Sequence, residues 1–89
     1  MDFTWDPAKA ITNLRKHGVT FSEAATAFGD PLAAYYRDVV NPRRGVLVGR
    51  SESARALVTV YVEVTDDLVR IISARRANAR ERRAYEEGD

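Results

Sequence analysis

An α+β fold follows from three features of this sequence: an N-terminal α-hairpin, a four- to five-stranded antiparallel sheet for it to pack on, and a short C-terminal helix. Two helix-start signals and two glycine stops fall within the first thirty residues; residues 32 to 75 then alternate apolar and polar side chains in the period of strands; and residues 78 to 87 return to helical composition. The chain has 89 residues, which is enough for one domain, 1–89, with a single modest core. Below roughly 100 residues stability is marginal, because about 1.5 kcal/mol of ordering entropy per residue offsets most of what burial contributes. That margin leaves room for a partner protein to matter.

The elements follow in order. Phe3 and Trp5 flank Thr4 in the pattern of a short strand, which Asp6-Pro7 stops with a helix start, Asp6 as N-cap and Pro7 at the first helical position. The helix should run to about His17, with Ala8, Ile11 and Leu14 as its apolar stripe and Lys9, Asn13 and Lys16 on other faces. Gly18 suits the left-handed residue that ends such a helix. Thr20-Phe-Ser-Glu23 reads as a capping box that opens a second helix through Ala24, Ala25, Ala27 and Phe28 to Gly29, where Asp30-Pro31 prevents extension.

Strands are expected at Leu32–Val40, Gly45–Arg50, Arg55–Val64 and Leu68–Arg75, with spacings that fit an antiparallel meander. In the third of these, Ala56, Val58, Val60, Val62 and Val64 share one face, while Arg55, Thr59, Tyr61 and Glu63 share the other with Leu57. One face is therefore core and the other partly wet. Ile71 and Ile72 make the fourth strand apolar on both sides, which argues for a central position. Asn78 as N-cap with Glu81 three on opens the last helix, which runs to about Glu87 and ends at Gly88. At under three turns it must dock or be ordered by a partner.

Composition removes several kinds of chemistry. The absence of cysteine excludes disulfides and thiolate metal sites, and a single histidine excludes a histidine-rich one, so neither a metal nor a cofactor is expected. No Gly-rich phosphate loop, serine-nucleophile motif or acidic metal cluster occurs. The N-terminus lacks a basic start followed by an apolar run, and no stretch approaches the about 18 apolar residues of a membrane span. This predicts a soluble cytoplasmic protein with no membrane partner.

The formal net charge is only +1, yet Arg75, Arg76, Arg80, Arg82 and Arg83 fall within nine positions. Guanidinium forks bind phosphate oxygens through paired hydrogen bonds, which makes this cluster the first candidate for phosphate contact. The alternative is a solvated helix face paired with Glu81, Glu86 and Glu87. Arg75 stands apart because it ends a central strand, where packing holds side chains. Arg43, Arg44, Arg50 and Arg55 form a second basic group around one hairpin, either continuous with the first or protecting strand edges. Histidine is the side chain whose ordinary pKa, about 6.5, suits proton transfer near neutrality, which singles out His17, although beside Gly18 it could simply cap helix carbonyls, and a lone histidine is more often structural than catalytic. Tyr35, Tyr36, Tyr61 and Tyr85 could stack on bases or simply pack. RNA is a substrate this inventory could cleave, because its own 2′-hydroxyl supplies the nucleophile and the protein need only orient the strand, stabilise charge and move protons.

Several segments also carry a resemblance. Phe3-x-Trp5-Asp6-x-x-Lys9-x-x-x-Asn13-x-x-Lys16-His17-Gly18-Val19-x-Phe21-x-Glu23-Ala24, then Gly49-x-Ser51, Arg70-Ile-Ile-Ser-Ala-Arg75-x-Ala77 and Glu81-Arg82-x-x-Tyr85-Glu86 are similar, in collinear order, to the BrnT family of toxins. The resemblance implies a RelE-like ribonuclease toxin of a type II toxin–antitoxin pair. Such a toxin inhibits translation by cutting RNA and is neutralised by a BrnA-like ribbon-helix-helix antitoxin, through which it contacts operator DNA. By motif position Lys9, His17, Arg44 and Arg75 are the matching basic residues, and the match leaves their individual roles open. Where the family usually carries an acidic residue near an arginine, this chain has Pro42-Arg43-Arg44, so the resemblance supplies no carboxylate base there.

The resulting expectation is a metal-independent endoribonuclease in which Lys9, His17, Arg44 and Arg75 are catalytic and Arg43, Arg55, Arg76, Arg80 and Arg83 bind RNA. The competing expectations are a non-catalytic binding module or co-repressor subunit acting with an antitoxin on DNA, and a toxin that has kept its fold but lost activity.

Overall fold

The structure is a computed structural model that describes residues 1–88. Five strands, β1 (Asp2–Thr4), β2 (Ala34–Arg37), β3 (Arg44–Arg50), β4 (Ala56–Thr65) and β5 (Leu68–Arg76), form one sheet in the order β1-β5-β4-β3-β2. Helices α1 (Pro7–His17) and α2 (Phe21–Thr26) form the hairpin, a 3₁₀ turn (Ala27–Gly29) follows α2, and α3 (Ala79–Glu87) closes the chain. The α+β class and element order match expectation. The fully antiparallel sheet does not: β2 through β5 pair antiparallel, but β1 lies parallel to β5, with Phe3 opposite Val69, so the sheet is mixed. Alternation identifies a strand but not its neighbour, and β1 pairs across the whole intervening chain. β5 does have a strand on either side, as its double-sided apolarity suggested.

The caps act as their sequences dictate, with one exception. Asp6 accepts from the Ala8 amide at 2.9 Å, and Gly18 takes φ 69°, where its N–H reaches the Leu14 carbonyl. Asn78 and Glu81 form a complete capping box on α3. At α2 only half the box exists: the Thr20 hydroxyl accepts from the Glu23 amide, but the Glu23 carboxylate turns away to Arg55 and Ser51. An arginine and a hydroxyl offered it stronger partners than one backbone amide.

The stripe expected on α1 is also corrected. Ile11 and Leu14 are 54% and 47% exposed, whereas Asn13 is 6% exposed and faces the sheet. Its side-chain amide donates to the Val19 and Ala74 carbonyls at 3.0 and 2.8 Å and accepts from the Ala74 amide at 3.1 Å. Asn13 thus hydrogen-bonds like a segment of backbone and ties α1 to β5 and to the loop before α2. Periodicity counts apolar residues and cannot see a polar one that satisfies main-chain groups.

The hairpin covers one sheet face. Val19, Phe21 and Ala24 pack on Leu57, Ile71 and Ala74, and Ala27 packs with Leu47, Tyr61 and Val69, while Phe3 touches both groups. Complete burial of Phe21, Leu57 and Ile71 stabilises the fold by roughly 1.5–3 kcal/mol per side chain. Gly45 is required there, because a Cβ would meet the Tyr61 hydroxyl at 2.5 Å. Of β4's two faces, the helices therefore cover the one bearing Leu57, Thr59 and Tyr61. The uniformly apolar valine face is left more open, covered at one end by α3, where Val48, Val58 and Ala77 pack with Tyr85.

β5 carries a bulge against β4 that decides what this open face displays. Tyr61 is opposite Ile71 and Val60 opposite Ser73, so Ile72 is the extra residue. In a regular strand Arg75 would share the face of Ile71, under the helices. The extra residue instead puts Ala74 beside Ile71 in the core and turns Ser73 and Arg75 to the valine face.

Candidate functional site on the open sheet face

The open face holds a concavity of about 800 Å³ whose floor is Val46, Val48, Val58 and Val60. β3 and β4 supply this floor because alternate residues of adjacent strands share a face. The wall on one side is β5 and α3, with Arg75, Arg80 and Glu81; His17, at the end of α1, and Tyr36, on β2, also line it. Each of these side chains has a local reason for its place. The Gly18 stop leaves His17 at the C-terminal tip of α1; the bulge aims Arg75; and the Asn78 cap sets the first turn of α3, and so Arg80 and Glu81.

The electrostatics centre on Arg75. Its Nη1 and Nη2 donate to Glu81 Oε1 and Oε2 at 2.8 and 2.7 Å, and Nη1 also donates to the Arg76 carbonyl at 3.3 Å. The Arg75 hydrogen bonds hold the Glu81 carboxyl at a pKa of about 2, against the usual 4.5, and Arg75 is raised in return. Glu81 is therefore ionised near neutrality and serves α3 twice, through the cap and through this pair. Arg75 keeps 42% of its side chain exposed. Tyr85 donates its hydroxyl to Asp30 and lies under the Arg50 guanidinium, 5.7 Å from the ring centre, which fixes the far end of α3.

The structure brings some of the expected residues together and separates others. His17, Arg75 and Arg80 share the concavity. Lys9 lines an adjoining hollow that includes Lys16, His17 and Ser73, so a cationic rim continues from the concavity along α1. Arg44 lies on the same sheet face but away from the centre: it pairs with Val62 and Arg75 with Val58. That offset is four residues, about 13 Å at about 3.3 Å per residue, with two strand spacings between them. Arg44 sits 3.9 Å from Asp38, and Arg43 beside it donates to the Val64 carbonyl at 3.3 Å.

Arg83 is exposed on α3 outside the concavity. Arg55 and Arg76 belong to the hairpin side: Arg55 Nε donates to Glu23 Oε2 at 2.9 Å, and both guanidiniums help hold the Glu23 carboxyl below its usual range, Arg55 through its hydrogen bond first. Ser73 was not singled out from sequence. Glu81 was legible as a helix cap and as a general partner for the arginine cluster, and Tyr36 and Tyr85 as aromatics that stack or pack, but the specific pairing of Glu81 with Arg75 needed the bulge to reveal it. Among the described residues, no group of three or more His, Asp or Glu side chains is placed to hold a metal, and no helix is long and apolar enough to cross a membrane.

Fold and site together define a small α+β protein that presents arginines and a histidine around an apolar hollow on its uncovered sheet face. A sequence model of a family described as "Ribonuclease toxin, BrnT, of type II toxin-antitoxin system" matches residues 5–81. The chain belongs to the BrnT family of ribonuclease toxins of type II toxin–antitoxin systems, as its motifs had suggested. A crystal structure of the Brucella abortus ribonuclease toxin BrnT is similar at a TM-score of 0.71 and 22% identity, covering 88% of this chain and 97% of that one. At that identity the likeness speaks for the fold. No curated protein sequence matches the chain.

Proposed function

We propose that this protein is a toxin that cleaves RNA without a metal ion and thereby inhibits translation, with the concavity around Arg75 as its active site. The observation that carries this reading is the convergence of Arg75, Arg80 and His17, from three separate elements, on one hollow. The 2′-oxygen of RNA attacks the adjacent phosphorus, the bond to the 5′-oxygen breaks, and the products are a cyclic phosphate and a 5′-hydroxyl. Arg75 stabilises the charge that develops on the phosphate oxygens. His17 moves a proton at the attacking or leaving oxygen, and Arg80 draws in the neighbouring phosphate.

Lys9, Lys16 and, at the far end of the sheet, Arg44 extend the positive surface along the strand, and Arg43 and Arg83 contribute from its margins. Arg55 and Arg76 enter this reading only if RNA wraps the hairpin side. The hairpin-on-sheet arrangement supports a RelE-like reading of the fold. The partner is a BrnA-like ribbon-helix-helix antitoxin that acts in the cytoplasm and contacts operator DNA.

Incubating the purified protein with total RNA in EDTA tests the activity. Cleavage is expected to persist in the chelator and to fall about 10²–10³-fold in Arg75→Ala at unchanged circular dichroism. RNA left intact but bound in a salt-sensitive way would instead identify a non-catalytic binding module.

A further inference from the structure

The guanidinium of Arg75 has five N–H donors in a rigid plane, and the protein uses one side of it. Glu81 takes the end-on pair, one hydrogen from Nη1 and one from Nη2, and the Arg76 carbonyl lies against the remaining Nη1 hydrogen. The Nε hydrogen and the second Nη2 hydrogen have no partner among the described residues. Those two point the same way and form the side-on fork, whose spacing matches two oxygens of one phosphate. Arg75 lines the concavity with part of its side chain still open to it.

We propose that Glu81 is a positioning residue, which occupies the end-on edge of Arg75 and so presents the Nε/Nη2 edge as the fork that receives an RNA phosphate. This rests on the reading of the concavity as the RNA site. A free arginine could offer either edge in many rotamers. Here the orientation is set by a carboxylate that is itself fixed by the Asn78 amide, at 2.9 Å, and by the first turn of α3. Glu81 stays ionised across the working pH range, so the orientation does not titrate with the chemistry. The alternative is that Glu81 obstructs the site, a phosphate having to displace it from Arg75.

Binding of a short single-stranded RNA with methylated 2′-hydroxyls, which cannot be cut, separates these cases when measured across a salt series. The logarithm of affinity falls with the logarithm of salt concentration by about 0.7 for each phosphate neutralised on a single strand. In Glu81→Gln, which preserves shape and can still cap α3, the slope should flatten by about 0.7 and affinity should fall about ten-fold, the size of one charge-assisted hydrogen-bonded contact. Arg75→Ala should do the same, and the double variant should be no worse than Arg75→Ala alone. A Glu81→Gln slope equal to that of the parent, or losses that add in the double variant, would overturn the positioning role. Tighter binding in Glu81→Gln would overturn it in favour of obstruction. A parent protein that does not bind the RNA would overturn the RNA-site reading and this role with it.

Discussion

At the scale of single residues, the structure depends on polar side chains that complete the backbone. Asn13 is the clearest case, because three main-chain groups of two other elements rely on one buried amide. Asn13→Ala removes all three bonds and leaves the Ala74 amide and two carbonyls buried without partners. It should cost about 3 kcal/mol, measured by urea unfolding, and should shift the midpoint without changing the slope. A loss below about 1 kcal/mol would mean that water or backbone movement satisfies those groups. The sequence shows an asparagine in a helix of ordinary composition, and nothing local marks it as buried. Arg75 is the opposite case: its place at the end of a central strand was legible, while the fork left free by Glu81 was not.

At the scale of elements, α3 is the least self-sufficient part of the molecule. None of its residues is buried, and it is held by its capping box, the Arg75–Glu81 pair, the Tyr85 contacts with Asp30 and the valine face, and a 3.7 Å approach of Arg50 to Glu86. The Glu81 carboxyl titrates near 4.5 when undocked and at about 2 when paired. Its contribution to docking is therefore complete above about 4.5 and is lost as pH falls from there towards about 2. Amide-exchange protection of α3, corrected for the intrinsic pH dependence of exchange, should hold constant from neutrality to about that upper value and then decline. In Glu81→Gln it should be lower throughout and lack this acid transition. A parent helix whose corrected protection does not change on acidification would show that Tyr85 and the apolar contact suffice. The sequence did indicate that this helix had to dock, from its shortness and charge; the surface it docks on required the sheet.

At the scale of the whole molecule, the arginines are divided between the two sheet faces. On the hairpin side Arg55 joins α2 to the turn before β4 through Glu23, which also accepts from the Ser51 hydroxyl at 2.7 Å. Arg55→Ala should accordingly lower the midpoint of thermal unfolding while leaving the salt slope of RNA binding as in the parent. An unchanged midpoint with a flatter slope would instead return Arg55 to the RNA surface. The sequence by itself determined the number and order of elements, the helix boundaries set by Asp6-Pro7, Gly18 and Asn78, and the family, because caps, alternation and motifs are all properties of neighbours along the chain. Only the tertiary structure decided that β1 runs parallel to β5, that Leu57 and not the valines faces the helices, that Asn13 is inside, and that Arg75 shares a hollow with His17 and Arg80. The physical reason is the same in each instance. A strand's alternation fixes which side chains travel together, whereas the partner strand, the covered face and the one-residue bulge at Ile72 are settled by contacts between segments far apart in sequence.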